Sequence, residues 1–188
     1  GVLANANVYG RNVATNGGYL WTYSSDLTMR RGEGRAYDTT IWVQPPGTPA
    51  IGLIYVDAFD ATGDSAYFQA ARDVAGALVW GQLSTGGWDY RIDFNPERSK
   101  RWHYRRDVEA GDTDPGERGH RSVLDDNNTQ EALRLLMRVD KRLGFADEAV
   151  HGAALYGLKA LLKLQYANGA WPQRWTEFPD SSKYPVLK

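Results

Sequence analysis

Asp125 and Asp126 open the stretch of this chain richest in groups that could do chemistry, Leu124-Asp125-Asp126-Asn127-Asn128-Thr129-Gln130. Two adjacent carboxylates followed by amide and hydroxyl side chains make a dense set of oxygens, which suits a hard cation such as calcium. Adjacent acids ahead of a helix also serve as N-caps, and that role stays open beside the first. The run Asp112-Thr113-Asp114-Pro115-Gly116 lacks the later bidentate glutamate of a helix-loop-helix calcium site and reads as a turn. Three arginines near these segments, Arg91, Arg121 and Arg174, could each take a carboxylate in a two-pronged grip, or serve in ordinary ion pairs. Trp88 and Trp171 each close a glycine-containing turn, where an indole can plug a helix end or form a wall for a sugar. His103, His120 and His151 show no ligand spacing.

The elements that must position these groups repeat. Asp64 to Trp88 and Asp147 to Trp171 share one layout at an offset of 83 residues: an Asp, a Gln 18 positions later, then Gly-Gly-Trp or Gly-Ala-Trp. Gly17-Gly18-Tyr19-Leu20-Trp21 looks like a third, diverged turn of the same kind. Apolar residues at three- and four-residue steps predict helices over Pro49 to Ala61, Asp64 to Gln82, Asn127 to Leu143 and Asp147 to Gln165. Thr48 and Pro49 supply an N-cap followed by proline, and Gly63 a stop. The expected inner faces are Ile51, Ile54, Tyr55, Ala58 and Phe59; Leu133, Leu136, Met137 and Val139; and Val150, Ala154, Leu155, Leu158, Leu161 and Leu162. Short links make two antiparallel hairpins, and repeated hairpins bury their apolar faces by stacking. Residues 1-48 read as loop and short strand. Residues 89-123 form a charged insert without helical or strand periodicity, of a length usually reserved for function or motion.

With 188 residues, 42% hydrophobic and 24% charged, the composition is that of a globular domain and excludes a disordered chain. A formal net charge of -1 gives no overall pull toward nucleic acid or an anionic membrane, and neither is expected as a partner. The apolar runs are too short to span a bilayer. With no cysteine there is neither a disulfide framework nor a thiolate metal site. The first residue is Gly1 with no charged-then-apolar leader behind it, which fits a processed protein and a secreted or periplasmic location.

Three segments at matching separations resemble the family 10 pectate lyases: Gly86-Gly87-Trp88; Leu124-Asp125-Asp126-Asn127-Asn128-Thr129 through Arg134-Leu135-Leu136; and Leu161 through Gln165-Tyr166-Ala167-Asn168-Gly169-Ala170-Trp171-Pro172-Gln173. That family shows a Gly-Gly-Trp turn, an Ile-Asp-Asn-Gly-Ala-Thr stretch opening a helix, and a Gln-Tyr-Pro-Asn-Gly-Gly-Trp-Pro-Gln turn. The resemblance covers about Leu83 to Trp175 and implies that Asp125, aligned on Arg134, matches an essential aspartate of the calcium and substrate site. Asp126 falls on the family's Asn, and Gln173 on the Gln of its Trp-Pro-Gln turn. Asn127 and Asn128 replace Gly and Ala, while Asp89-Tyr90-Arg91 replaces Pro-Lys-Asn, so charge in the groove differs. The family's arginine base comes from a later part of the fold than this sequence reaches.

The expected fold class is all-α: an α/α toroid, present as a partial ring of helical hairpins with long irregular loops. It forms one domain over 1-188, or the N-terminal part of a larger one, and a further polypeptide segment would complete the ring. The expected activity is cleavage of a uronate-containing, pectate-like polysaccharide by β-elimination. Asp125 and Asp126 would be catalytic and hold calcium; Arg91, Trp88, Arg121, Trp171, Gln173 and Arg174 would bind the acidic polysaccharide. Elimination needs the uronate carboxylate neutralised and a base at the neighbouring carbon. The alternatives are a glycoside hydrolase on the same architecture, using two acids such as Asp89 and Asp125, and a glycan-binding arc without catalysis.

Overall fold

The computed structural model of the chain describes residues 12-180. Its main body is two helical hairpins. Helix α1 (Thr48–Thr62) starts after Gly47 with proline in its first turn and ends at Gly63, left-handed at φ 70. Thr48, expected as the cap, lies inside the helix instead. Its buried hydroxyl donates to Tyr19 O (3.0 Å) and accepts from Tyr19 N–H (2.9 Å), which ties the N-terminal segment to α1. Helix α2 (Ser65–Gly81) is capped by Asp64, whose carboxylate accepts from Ala66 N–H. Two short helices follow, α3 (Pro96–Ser99) and α4 (Arg105–Glu109). Helices α5 (Asn128–Arg142) and α6 (Glu148–Leu164) form the second hairpin, with Asp147 accepting from Ala149 and Val150 N–H.

The repeat extends to the hydrogen bonds of its turns. Gln82 Nε2 donates to Gly86 O (2.9 Å), and Gln165 Nε2 to Gly169 O (3.0 Å). Trp88 Nε1 donates to Leu78 O (2.8 Å), and Trp171 Nε1 to Leu161 O (2.9 Å). Trp21 donates to Gln44 O rather than back into a helix, so the Gly17 to Trp21 likeness stops at the sequence. Stacking explains why the first turn is Gly-Gly and the second Gly-Ala. A Cβ on Gly87 would lie 2.7 Å from Thr129 Oγ1 and 2.7 Å from the Trp175 ring, whereas Ala170 at the equivalent place is exposed.

Helix α5 packs against α1 and α2, and α6 against α2. The core joins Tyr55, Val56, Ala71, Val74 and Leu78 to Leu133, Leu135, Leu136 and Val139. A Cβ on Gly52 would fall 2.3 Å from Leu135 Cδ2, so α1 and α5 approach as closely as they do because that position is glycine. Across the same interface Arg138 binds Asp57 (2.6 Å) and Asp60 (3.0 Å). Three expected inner faces are corrected here. Ile54, Met137, Leu155 and Leu162 are exposed, while Val56, Leu135, Ala153 and Ala160 are buried. Helix α6 packs through its small residues, because Gly157 faces Leu133 and the Gly86 loop at close range and its long leucines do not fit there.

Short antiparallel strand pairs join the loops: β1 (Thr22–Tyr23) with β2 (Arg30–Arg31), β3 (Thr40–Trp42) with β4 (Arg91–Asp93), and β5 (Ser122–Val123) with β6 (Arg174–Trp175). The insert 89-123 is therefore ordered, carrying β4, α3, α4 and β5. It is held by ring contacts and buried polar bonds that no periodicity announces. Arg106 lies 3.8 Å over both Trp80 and Tyr104, and buried His103 bridges Ser84 Oγ (2.9 Å) and Asp112 O (2.9 Å). No helix among the described residues is long and apolar enough to cross a membrane.

Candidate active site

The Asp125-Asp126 stretch is fastened on three sides. Pairing of β5 with β6 sets Val123 against Arg174, and both Leu124 and Asp125 N–H donate to Gln173 O (2.8 and 3.2 Å). Buried Asn128 donates through Nδ2 to Trp88 O (3.0 Å) and Asp89 O (3.3 Å), tying the acidic run to the Gly-Gly-Trp turn. From the N-terminal side Gln44 Nε2 donates to Asp126 Oδ2 (2.8 Å). The two acids do not cap α5. Residues Asp125–Asn127 form a single tight turn, with Asp126 (φ 53) and Asn127 (φ 61) both left-handed, and Asn127 in the N-cap position makes no side-chain cap bond. Two successive non-glycine residues in that region are strained, and Asp and Asn tolerate it best. Such strain persists where surrounding contacts over-determine it.

Asp125 Oδ2 accepts from Tyr90 Oη–H (3.3 Å) and from Arg174 (3.3 Å), and Arg174 also donates to Tyr90 Oη (3.0 Å) with its guanidinium 5.6 Å from the ring centre. Partial desolvation pushes the Asp125 carboxyl up, but hydrogen bonds from Gln173, Arg174 and Tyr90 outweigh it and leave it below the ordinary aspartate value. Arg174 is raised by the same neighbours, Tyr90 first, so it keeps its proton. The Tyr90 phenol is raised too, chiefly by desolvation. Arg106 is the described arginine with a depressed pKa, caused by burial, and it is packed between Trp80 and Tyr104 and not in this cleft.

Leu124, Asp125, Asp126, Gln130, Leu161, Trp171, Pro172 and Gln173 line a cleft of about 720 Å³, and Arg174 stands at its edge on Asp125. The fold thus brings Asp125, Asp126, Trp171, Gln173 and Arg174 together. Trp88 is the correction: its side chain is 0% exposed and donates into α2, so it is core mass and cannot touch a sugar, unlike Trp171 at 47%. Arg91 points elsewhere, into a separate basin beyond β4. Arg121 is exposed just before β5 and lines neither cavity. Asp89 is also committed elsewhere, accepting from Tyr90 N–H and from Trp102 Nε1 (3.0 Å). Sequence reasoning missed Tyr90 and Gln44. Tyr90 left a trace, standing where the resembled family has lysine; Gln44, 82 residues from its partner, left none.

An all-helical body of stacked hairpins, with the acidic run and the aromatic turn meeting at one end, has the architecture of an α/α toroid. Two solved structures share it: a family 10 polysaccharide lyase from Cellvibrio cellulosa, and a variant of that lyase in complex with trigalacturonic acid. Each superposes with a TM-score of 0.53 at 19% identity over 85% of this chain, covering 46% and 47% of the lyase chains. This chain therefore spans just under half the length of those solved lyases. No curated protein matches the sequence. The sequence pattern of the pectic acid lyases matches residues 93-186, half of the chain. The chain belongs to the pectic acid lyase family.

Proposed function

We propose that the chain acts as a polysaccharide lyase on a pectate-like, uronate-containing polymer. The single observation that carries this is the Arg174–Asp125–Tyr90 cluster at the edge of a cleft walled by exposed Trp171. In β-elimination a base takes up the proton α to the uronate carboxylate. Its electron pair forms a double bond to the next carbon, and the glycosidic oxygen leaves that carbon and takes up a proton. Arg174, held charged by Tyr90 and Asp125, grips the substrate carboxylate and neutralises it, which makes the adjacent proton more acidic. Its hydrogen bonds to Tyr90 and Asp125 favour the charged form, which suits the carboxylate partner better than the base. Trp171 offers the indole face to a sugar ring, and Gln173 fixes Asp125 from beside the cleft.

Asp125 and Asp126 are the residues that would hold calcium. No group of three or more His, Asp or Glu that could bind a metal occurs among the described residues. Calcium takes roughly six to eight oxygens. Two carboxylates fall short of that number, so an ion held there would have to share ligands with substrate carboxylates, and when bound it would supply further neutralisation of the uronate. A neighbouring lyase is known with trigalacturonic acid, which supports polygalacturonate as the first substrate to try.

The test is incubation with a panel of acidic polysaccharides, following the ultraviolet absorbance of the unsaturated product. Absorbance on polygalacturonate, abolished by Asp125→Ala, is the expected result; none on any polymer would sink the lyase reading for this chain. Binding without product would favour a glycan-binding module, the reading supported by Arg174 and Tyr90 both retaining their protons. New reducing ends without absorbance would indicate hydrolysis, which the engaged state of Asp89 argues against.

A further inference from the structure

Beyond β4 lies a second cavity of about 720 Å³, lined by Arg30, Arg35, Arg91, Arg98 and Arg101 together with Tyr37 and Trp102. Its acids are Asp38 and Asp93, and Asp93 is already taken by Arg98 (2.5 Å). Arg35, Arg91 and Arg101 are exposed and make no side-chain hydrogen bond or ion pair among the described residues. Like charges of this kind gathered in one concavity repel each other and attract a polyanion.

The basin is also preorganised. Arg98 donates to Asp93 and to Thr39 Oγ1 (2.7 Å) and lies 3.9 Å over the Tyr37 ring, so floor and aromatic face are fixed before any ligand arrives. Trp102 is set by its bond to Asp89 Oδ2 (3.0 Å). The approach to β4 relates this basin to the cleft: Tyr90 reaches Asp125 while the next residue, Arg91, lines the basin, as alternate residues of extended chain point to opposite sides. Arg30, Arg35 and Arg91 precede residue 93, where the family match begins.

We propose that this basin is a second binding site for an anionic oligosaccharide, taking a uronate segment distinct from the one in the Asp125 cleft. Three free guanidinium groups from separate segments of the chain suit carboxylates spaced along a sugar chain, and the two aromatic faces suit its rings. A polymer long enough to engage both sites gains affinity from the linkage alone. This rests on the reading of the chain as a polyuronate-acting protein, and the experiment separates the two.

Trigalacturonate is titrated into the protein while the indole N–H signals of Trp102 and Trp171 and the arginine side-chain N–H signals are followed by NMR. The expected result is that Trp102, Arg35, Arg91 and Arg101 move, and that Arg35→Ala/Arg91→Ala/Arg101→Ala weakens binding read at Trp102 by roughly tenfold or more. If the triple variant melts early, Arg35→Ala alone, at an exposed position, carries the same comparison. Basin signals that stay still while Trp171 saturates overturn the proposal, as does tripolyphosphate shifting them as strongly as trigalacturonate at equal ionic strength. Basin signals that move while Trp171 does not would support the second site and refute the Asp125 cleft.

Discussion

Replacing Asn127 by glycine should make the protein more stable, an unusual expectation for a residue beside a candidate active site. Asn127 sits at φ 61 in the N-cap position, is exposed, and makes no side-chain cap bond, so the substitution removes no contact there. The left-handed conformation costs an L-residue roughly 1–2 kcal/mol, with asparagine at the low end. Glycine escapes that cost but returns part of the gain, about 0.5 kcal/mol, through its greater freedom when unfolded. The net is a gain of about 0.5–1 kcal/mol, or roughly 1–4 °C in melting temperature for a domain of this size. Asp126→Gly relieves similar strain at φ 53 but forfeits the bond from Gln44 (2.8 Å), worth about 1 kcal/mol, so its stability should hardly change while substrate binding falls. Thermal melts followed by circular dichroism read both. A lower melting temperature for Asn127→Gly would show that the left-handed backbone there is not strained.

Gln82→Leu strips donors from Gly86 O and Ala153 O in the interior and should cost about 2–4 kcal/mol in urea unfolding. The repeat-equivalent Gln165→Leu, on an exposed side chain, should stay within about 0.5 kcal/mol. Arg174→Gln should lower cleavage of polygalacturonate roughly 100-fold. It should also move the Asp125 carboxyl upward, read by NMR titration, because a donor that holds it down is gone. At Asp93, burial pushes the carboxyl up but bonds from Arg98, Thr39 and Asn95 N–H leave it depressed. Its stabilising contribution is then full above about pH 4 and lost as pH falls through the folded value, so the deficit of Asp93→Asn should shrink in acid unfolding below about pH 4. A calcium chelator should reduce cleavage of polygalacturonate and calcium should restore it, and unchanged rates would remove Asp125 and Asp126 as ion ligands.

The sequence by itself determined the hairpins and their kinship. Helical periodicity, Asp caps at Asp64 and Asp147, and the paired Gln and Trp at an offset of 83 residues are local signals, and the Asp, Gln and Trp side chains all bond within ten residues of chain. It also identified the acidic run and the aromatic turn that meet at the cleft. Which face of each helix would be buried was less legible, because small residues of α6 pack where its long leucines were expected. Only the tertiary structure decided that Trp88 is core while Trp171 is surface. The two have the same local bond, and they differ because the second hairpin and Trp175 cover the first turn while no described element covers the second. Likewise Tyr90 bonds Asp125 while Arg91, the next residue, lines the other cavity, and Gln44 reaches Asp126 across 82 residues. Local hydrogen bonding and periodicity are encoded within a few turns of chain, whereas a site assembled by loops that close over long separations is fixed by packing.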